Sequence, residues 1–394
     1  MRILIIVENL PVPFDRRVWQ EAKALKNHGH MVSIICPKMK GYLKQYELID
    51  GIHIYRHPLP LEGGAGVAGY FIEYSCALYY EFSLSLKILF KHGFDVIHAC
   101  NPPDNIFLVG GFFKIMFGKK FVFDHHDINP ELYFAKFGKK DLFYRIMLLW
   151  EKWTFKIADI SIATNESYKN IAINRGKMKP EHVHVVRSGP DLERTRQMPV
   201  NKKWKKGKHF MVGYVGVMGA QEGLELLLKG IFFMIHKLKK KDIHFVLVGD
   251  GTELHQLKKQ GSRLGIESCL TFTGRVSDKI LMEILSTADV CVNPDVVNEM
   301  NDKSTMNKIM EYMALGKPIV QFEMTEGRIS AGDASLYAEP NNPESLIWKI
   351  IEILDDPAMA EKMGTYGQNR VISELQWKYE VPKLINAYRT LEIN

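Results

Sequence analysis

Two stretches of this sequence gather residues whose types and spacing suit chemistry. In Asn301–Val320, Ser304 or Thr305 stands where a helix cap would, and Ile309, Met310, Met313 and Ala314 fall on one apolar face. Gly316 and Pro318 end that helix. Uncapped N–H groups at its start would bind a diphosphate. Lys308 and Glu311 are three apart and share a face, which suits a cation for phosphate and a carboxylate for ribose hydroxyls. The same pattern also suits a surface salt bridge on a capped helix. The second stretch, Phe123–Glu131, closes an apolar run with His126 beside Asp127 and Glu131. Open α/β sheets present ligand groups at such strand ends. A lone histidine is more often structural, but this cluster is denser in polar groups than a core accepts without partners.

Other loops are weaker signals. Gly213–Gly223 reads as strand, glycine-rich turn and helix, and Gly216 and Gly219 permit close backbone approach to an anion. Phe272–Val276 places Arg275 just after a strand, where an exposed arginine beside a turn glycine needs no ligand. Asn9–Trp19 is stiffened by Pro11 and Pro13 and offers Asp15, Arg16 and Arg17 to an anionic ligand, one arginine serving as a brace. His98–Asp104, Val186–Asp191 and Gly249–Gly251 are read as structural first, with Arg187 a candidate for the cleft.

Positioning these groups is a task for two domains. A chain of 394 residues exceeds one ordinary core, and 46% hydrophobic with 25% charged residues is a globular composition. Short β-branched runs alternate with amphipathic stretches, as in βαβ units on a parallel sheet. Strands are expected at 3–7, 31–36, 96–99, 120–124, 160–163 and 183–186, then at 210–215, 245–248, 270–273, 290–292 and 318–321. Helices are expected over 17–27, 142–156 and 380–391, and the lysine-rich 199–209 reads as a linker.

Five separated cysteines suit core thiols in a reducing compartment. The apolar start Met1–Val7 reads as a first strand rather than a signal peptide, and the oily runs 70–90 and 106–123 are broken by charges. A cytoplasmic protein, peripheral at a membrane, is expected. The formal charge is +7, with lysines clustered at 202–206 and 237–241. Such runs suit solvated loops or an anionic surface, and lack the interleaved aromatics of a nucleic-acid platform. Tyr70–Phe90 with Phe112, Phe113, Phe117, Lys119 and Lys120 reads either as helical core or as an apolar face edged by cations.

The phrase Glu311-Tyr-Met-Ala-Leu-Gly-Lys-Pro318, with matching phrases in both halves, resembles the family-four retaining glycosyltransferases. Its Gly-Val-Met-Gly-Ala-Gln turn and Asn-Lys-Ile-Met-Glu-Tyr helix resemble a bacterial polysaccharide-assembly subset. The resemblance implies the GT-B fold: two Rossmann-like domains facing across a cleft, with a C-terminal helix crossing back to the first. The domains would be 1–198 for the acceptor, 199–378 for the nucleotide-sugar, and 379–394 for the crossover helix. It implies that Glu311 binds the donor ribose, with Lys303, Ser304, Thr305 and Met306 in the donor loop. Arg275 and Val276 would lie against the base, and Gly216 and Gly219 against the diphosphate. His126, Asp127 and Lys308 become the catalytic candidates, and Asp15, Arg16, Arg17 and Glu131 the acceptor side. No cofactor and no metal are expected.

Three positions depart from the family. Lys303 replaces a glutamate that contacts sugar hydroxyls, and Val217 and Glu222 stand where many relatives carry an arginine and a lysine. Lys308, Lys303 and Arg275 are the remaining cations for a diphosphate. The implied activity is transfer from a nucleotide-diphosphate sugar, UDP-sugar favoured, to a glycan or lipid-linked acceptor in cell-surface polysaccharide synthesis. A GT-B nucleotide-sugar epimerase and a non-catalytic binding subunit are the alternatives.

Overall fold

The computed structural model describes residues 1–59 and 67–393, excepting the side chains of 67, 68, 70, 71, 392 and 393. Tyr70, one end of the apolar run read from the sequence, thus lies outside the described side chains. The chain divides into two compact units, Met1–Ser188 with the residues from Lys378 onward, and Gly189–Trp377.

The first unit runs β1 (Arg2–Ile6), α1 (Arg16–Asn27), β2 (Met31–Pro37), β3 (Tyr46–Ile49), β4 (Ile52–His57), α2 (Val67–Lys91), β5 (Val96–Cys100), α3 (Phe107–Phe117), β6 (Lys120–His125), α4 (Asn129–Phe137), α5 (Leu142–Ile157), β7 (Ile160–Ala163), α6 (Glu166–Asn174) and β8 (Val183–Val185). Its sheet has the order β3-β4-β2-β1-β5-β6-β7-β8, parallel except for β3 on β4. The strands are buried on both faces, as crossover helices require, so they read as continuous apolar runs. The β3–β4 hairpin was not expected. Ile49 pairs with Ile52 across Asp50 and Gly51, whose φ values of 50° and 78° both lie in the left-handed region that a two-residue hairpin turn demands. Leu4, Ile6, Ile97, Val109, Phe113 and Phe121 form a core cluster beneath α2 and α3.

The second unit runs β9 (Phe210–Val215), α7 (Leu224–His236), β10 (Ile243–Val248), α8 (Leu254–Arg263), β11 (Leu270–Gly274), α9 (Asp278–Thr287), β12 (Val290–Asn293), α10 (Glu299–Lys303), α11 (Asn307–Ala314), β13 (Ile319–Phe322), α12 (Thr325–Ala331), β14 (Ser335–Ala338), α13 (Pro343–Asp355) and α14 (Pro357–Arg370). Its six strands are all parallel in the order β11-β10-β9-β12-β13-β14. Strand order reverses at β9, flanked by β10 and β12, where sheets of this kind expose ligand-binding loops. Gly223 starts α7 at φ 62°, and a Cβ there would lie 1.8 Å from the Pro294 carbonyl oxygen. That approach explains the glycine. The last helix, α15 (Trp377–Ile393), belongs to the first unit from Lys378 onward.

Two expectations need correction. The boundary at 198 falls inside the second unit, because Arg194 pairs with Glu311, Gln197 Nε2 donates to the Leu315 carbonyl at 2.9 Å, and Met198 N donates to Ser286 Oγ at 2.9 Å. Nor is 199–209 a loose linker. Trp204 Nε1 donates to Glu283 Oε1 at 2.7 Å and Lys205 Nζ lies 2.8 Å from Asp289 Oδ2. Single hydrogen bonds from tryptophan and lysine carry no sequence periodicity, which is why the segment looks unstructured.

Candidate functional site

In the first unit the loops after β1, β5 and β6 meet around Asp124, the penultimate residue of β6. Asp15 caps α1 through Val18 N at 3.1 Å, so its role is local, and Arg16 is exposed. Arg17, one residue into the helix, points inward. Its Nη2 lies 3.0 Å from Asp124 Oδ1 and 3.0 Å from Glu21 Oε1, and Nη1 donates to the Val186 carbonyl at 2.9 Å. Asp124 Oδ2 in turn lies 2.5 Å from His126 Nε2 and 3.2 Å from His98 Nε2. His98 Nδ1 is 2.6 Å from the hydroxyl of Tyr388 on α15, so the final helix reaches this network.

Burial alone would raise the Asp124 carboxyl, but Arg17 and His126 outweigh it and hold it well below its ordinary value. Glu21, fully buried beside it, is pushed well up, chiefly by burial. One ionised and one protonated carboxyl around a single guanidinium is a consistent charge arrangement. His98, Cys100 and Asp124, or Glu21, Asp124 and His126, bring ligand atoms within 4.8 Å of one another. Arg17 already pairs with Asp124, the carboxylate common to both groups.

Adjacent strand residues point to opposite faces, and the two histidines divide accordingly. His126 is partly exposed, whereas His125 is fully buried between Phe155, at 5.2 Å between ring centroids, and Tyr168, at 4.9 Å, and burial lowers its pKa to about 3. Asp127 follows His126, its backbone N donating to Asn101 Oδ1 at 3.1 Å and its carboxyl raised by burial. Glu131 does not join this group. Both of its oxygens are bound by Arg175, which also binds Glu151, making a structural ion triad among α4, α5 and α6.

In the second unit the segment around α11 departs from expectation. Ser304 and Thr305 do not cap the long helix. Ser304 ends the short α10 and donates to the Met300 carbonyl at 2.7 Å, while the N-cap of α11 is Met306, whose side chain makes no capping bond. Lys303 pairs with Glu299 at 2.8 Å, one turn earlier on α10. Lys308 and Glu311 diverge. Lys308 Nζ lies 2.6 Å from Asp295 Oδ1 and 2.7 Å from Glu222 Oε2, and stands 5.0 Å from the Tyr214 ring centroid. Burial works against its charge, but Asp295 and Glu222 outweigh that and raise its pKa. Asp295 itself is pushed up to about 7 by burial, against the pull of Lys308. The Glu222 that replaces a family cation is therefore balanced by Lys308.

Glu311 is bound by Arg194, a residue that the sequence reading passed over because it lies far outside the motif. Val276 and Met306 pack on the apolar cluster that contains Ile309 and Met313, and Arg275 is exposed just after β11. Gly219 opens the short turn Ala220–Glu222. Gly216 is pressed against Gly249, where a Cβ would lie 1.8 Å from the Gly216 carbonyl oxygen at φ 142°. These loops therefore gather at the C-terminal ends of β9, β10 and β11, with α11 behind them.

Residues 15–194 match the family model described as Glycosyltransferase Family 4, and residues 209–356 match Glycosyl transferases group 1. The chain is 23% identical over 391 residues to an uncharacterized glycosyltransferase, MJ1607, of Methanocaldococcus jannaschii, covering 93% of this chain and 92% of the relative. Among solved structures it is similar to sucrose-phosphate synthase from Thermosynechococcus elongatus, with a TM-score of 0.82 at 19% identity, over 100% of this chain and 99% of that one. It is also similar to Anabaena Alr3699/HepE in complex with UDP-glucose, with a TM-score of 0.76 at 15% identity, over 99% and 100%. Two Rossmann-like units, matched in turn by these two models, show that the chain belongs to the family 4 glycosyltransferases of GT-B fold.

Proposed function

We propose that this glycosyltransferase transfers a sugar, with retention, from a UDP-sugar to a glycan or lipid-linked acceptor in cell-surface polysaccharide synthesis. The observation that carries the reading is Glu311, set in the family's phrase on α11 and held by Arg194 beside a helix start with no side-chain cap. That start is suited to a diphosphate, and the carboxylate to ribose hydroxyls. The UDP-glucose in the Anabaena neighbour supports a uridine nucleotide.

The reaction is a same-face displacement. The acceptor oxygen bonds to the anomeric carbon as its bond to the diphosphate breaks, and a phosphate oxygen takes the acceptor proton. Catalysis then rests on positioning and on stabilising the leaving diphosphate. First-turn N–H groups of α11 serve that purpose. Lys308 contributes by offsetting Glu222 and Asp295, keeping the pocket from repelling the anion. His126 and Asp127 serve the donor sugar or its phosphate and the acceptor hydroxyl, and neither a cofactor nor a metal is called for. A nucleotide-sugar screen by mass spectrometry tests this: a nucleoside diphosphate should be released from one donor, and release from none would remove the proposal.

The protein works at the cytoplasmic face of an anionic membrane, on a surface unlike the one expected from sequence. Phe113 is core and Phe112 half-buried, while Leu108, Ile115, Met116 and Phe117 of α3 and Leu142, Leu149 and Trp153 of α5 are exposed. Lys114 Nζ, 2.7 Å from the Ile157 carbonyl, pins the ends of these two helices together. From 67 to 157 the exposed bases are Lys87, Lys91, Lys136, Lys139, Lys140, Arg145, Lys152 and Lys156, and among the described residues Asp141 is the one exposed acid. Exposed apolar side chains on helices that also carry exposed bases, with Lys156 Nζ 4.6 Å from the Trp153 ring centroid, suit interfacial binding. No helix among the described residues is long and apolar enough to cross a membrane.

A further inference from the structure

We propose that Arg194 is a positioning residue for donor binding: its guanidinium orients Glu311 and so sets the site's preference for ribonucleotides over their deoxy counterparts. The inference rests on the reading of Glu311 as the ribose anchor. Arg194 Nη2 donates to Glu311 Oε1, and Nη1 lies 3.8 Å from Asp278 Oδ1, beyond hydrogen-bond reach. The two side chains are 20% and 13% exposed, sheltered enough for a charged hydrogen bond to hold one geometry.

The backbone that carries Arg194 is itself fixed. Thr195 N donates to the Asp191 carbonyl at 2.8 Å and Gln197 Nε2 to the Leu315 carbonyl at 2.9 Å, while Leu192 and Met198 pack on the cluster containing Ile309 and Met310 of α11. The segment on either side of Arg194 is thus strapped to the helix that bears Glu311, and the guanidinium reaches Glu311 from a fixed backbone. A hydrogen bond on one carboxylate oxygen limits how far the carboxylate swings from the orientation in which it meets a pair of vicinal hydroxyls. Such a site discriminates against a ligand lacking those hydroxyls, because its polar groups are then left unpaired. A swinging carboxylate loses that discrimination but not its contact with the base or diphosphate.

Calorimetric titration of the whole protein with UDP and with 2′,3′-dideoxy-UDP tests this, the GDP pair being used if UDP does not bind. Arg194→Ala should weaken UDP binding about tenfold, the loss of one charged hydrogen bond, and leave dideoxy binding within about twofold. Arg194→Lys should recover part of the preference, and it also serves if the alanine variant does not fold. Equal weakening of both ligands, or of neither, would overturn the proposal. Glu311→Gln separates the two levels. If it leaves the ribose preference intact, the anchor reading fails. If it abolishes the preference while Arg194→Ala does not, only the role of Arg194 fails.

Discussion

Lys308 Nζ is clamped between two carboxylates, 2.6 Å from Asp295 and 2.7 Å from Glu222, so its charge is committed within its own unit. Removing it strands the buried Asp295 beside the partly buried Glu222. Lys308→Ala should cost about 3–5 kcal/mol of stability, and Lys308→Ala with Glu222→Gln should cost less than the single change. Urea denaturation of both variants checks this. A single variant as stable as wild type would show the clamp to be unimportant.

His125 and His126 should fail in different ways. His126→Asn, whose amide can still donate toward Asp124, is expected to lower kcat about 100-fold with a smaller loss of melting temperature than His125→Ala, as loss of a group near the reacting atoms does. His125→Ala opens a cavity among Phe155 and Tyr168 and should cost about 2–4 kcal/mol while its folded fraction keeps near-normal kcat. The roles are misassigned if the stability loss falls on His126 and the kinetic loss on His125.

Glu81 on α2 is 1% exposed, and burial pushes its pKa from an ordinary 4.5 up to about 8. Between those values the folded state holds a proton that the unfolded chain has lost. Stability tied to Glu81 is therefore complete below pH 4.5 and falls as pH rises to about 8. Glu81→Gln should gain on wild type as pH rises, with a higher urea midpoint at pH 9 and little difference at pH 4. Parallel pH profiles would exclude this cost.

On the membrane side, Lys152→Glu with Lys156→Glu, or Ile115→Ser with Met116→Ser, should release the protein from vesicles containing phosphatidylglycerol. The two exposed bases lie on α5 and the two apolar residues on α3. Each lysine near an anionic surface contributes about 1 kcal/mol, so the double charge reversal should weaken co-sedimentation at least tenfold. Vesicle binding that is unchanged in both pairs would exclude this face.

The sequence discloses the sheets well because strands buried on both faces read as apolar runs, as at Ile160–Ala163 and Phe210–Val215. It discloses the β3–β4 hairpin too, through Asp50-Gly51 between alternating residues, a signal that was available and passed over. β14 is as short as β7, but its Ser335-Leu-Tyr-Ala338 starts polar and is only partly buried, so it does not read as an apolar run. Candidate site residues were legible as types but not as partners. Nothing local tells that Glu131 meets Arg175, that Lys308 meets Asp295, or that Arg194 meets Glu311, because each pair is joined only by tertiary packing. The exposed face of α3 was hidden for the opposite reason: Phe113 and Ile115 look alike in sequence and differ only in which way the helix turns them.

The most direct test of the central claim follows a UDP-α-sugar by time-resolved proton NMR in the presence of the protein and a simple acceptor or water. The account predicts that UDP is released and that the first sugar product carries the α configuration, with Glu311→Ala slowing release at low donor concentration. A β product, or conversion of the sugar while it stays attached to UDP, would contradict it.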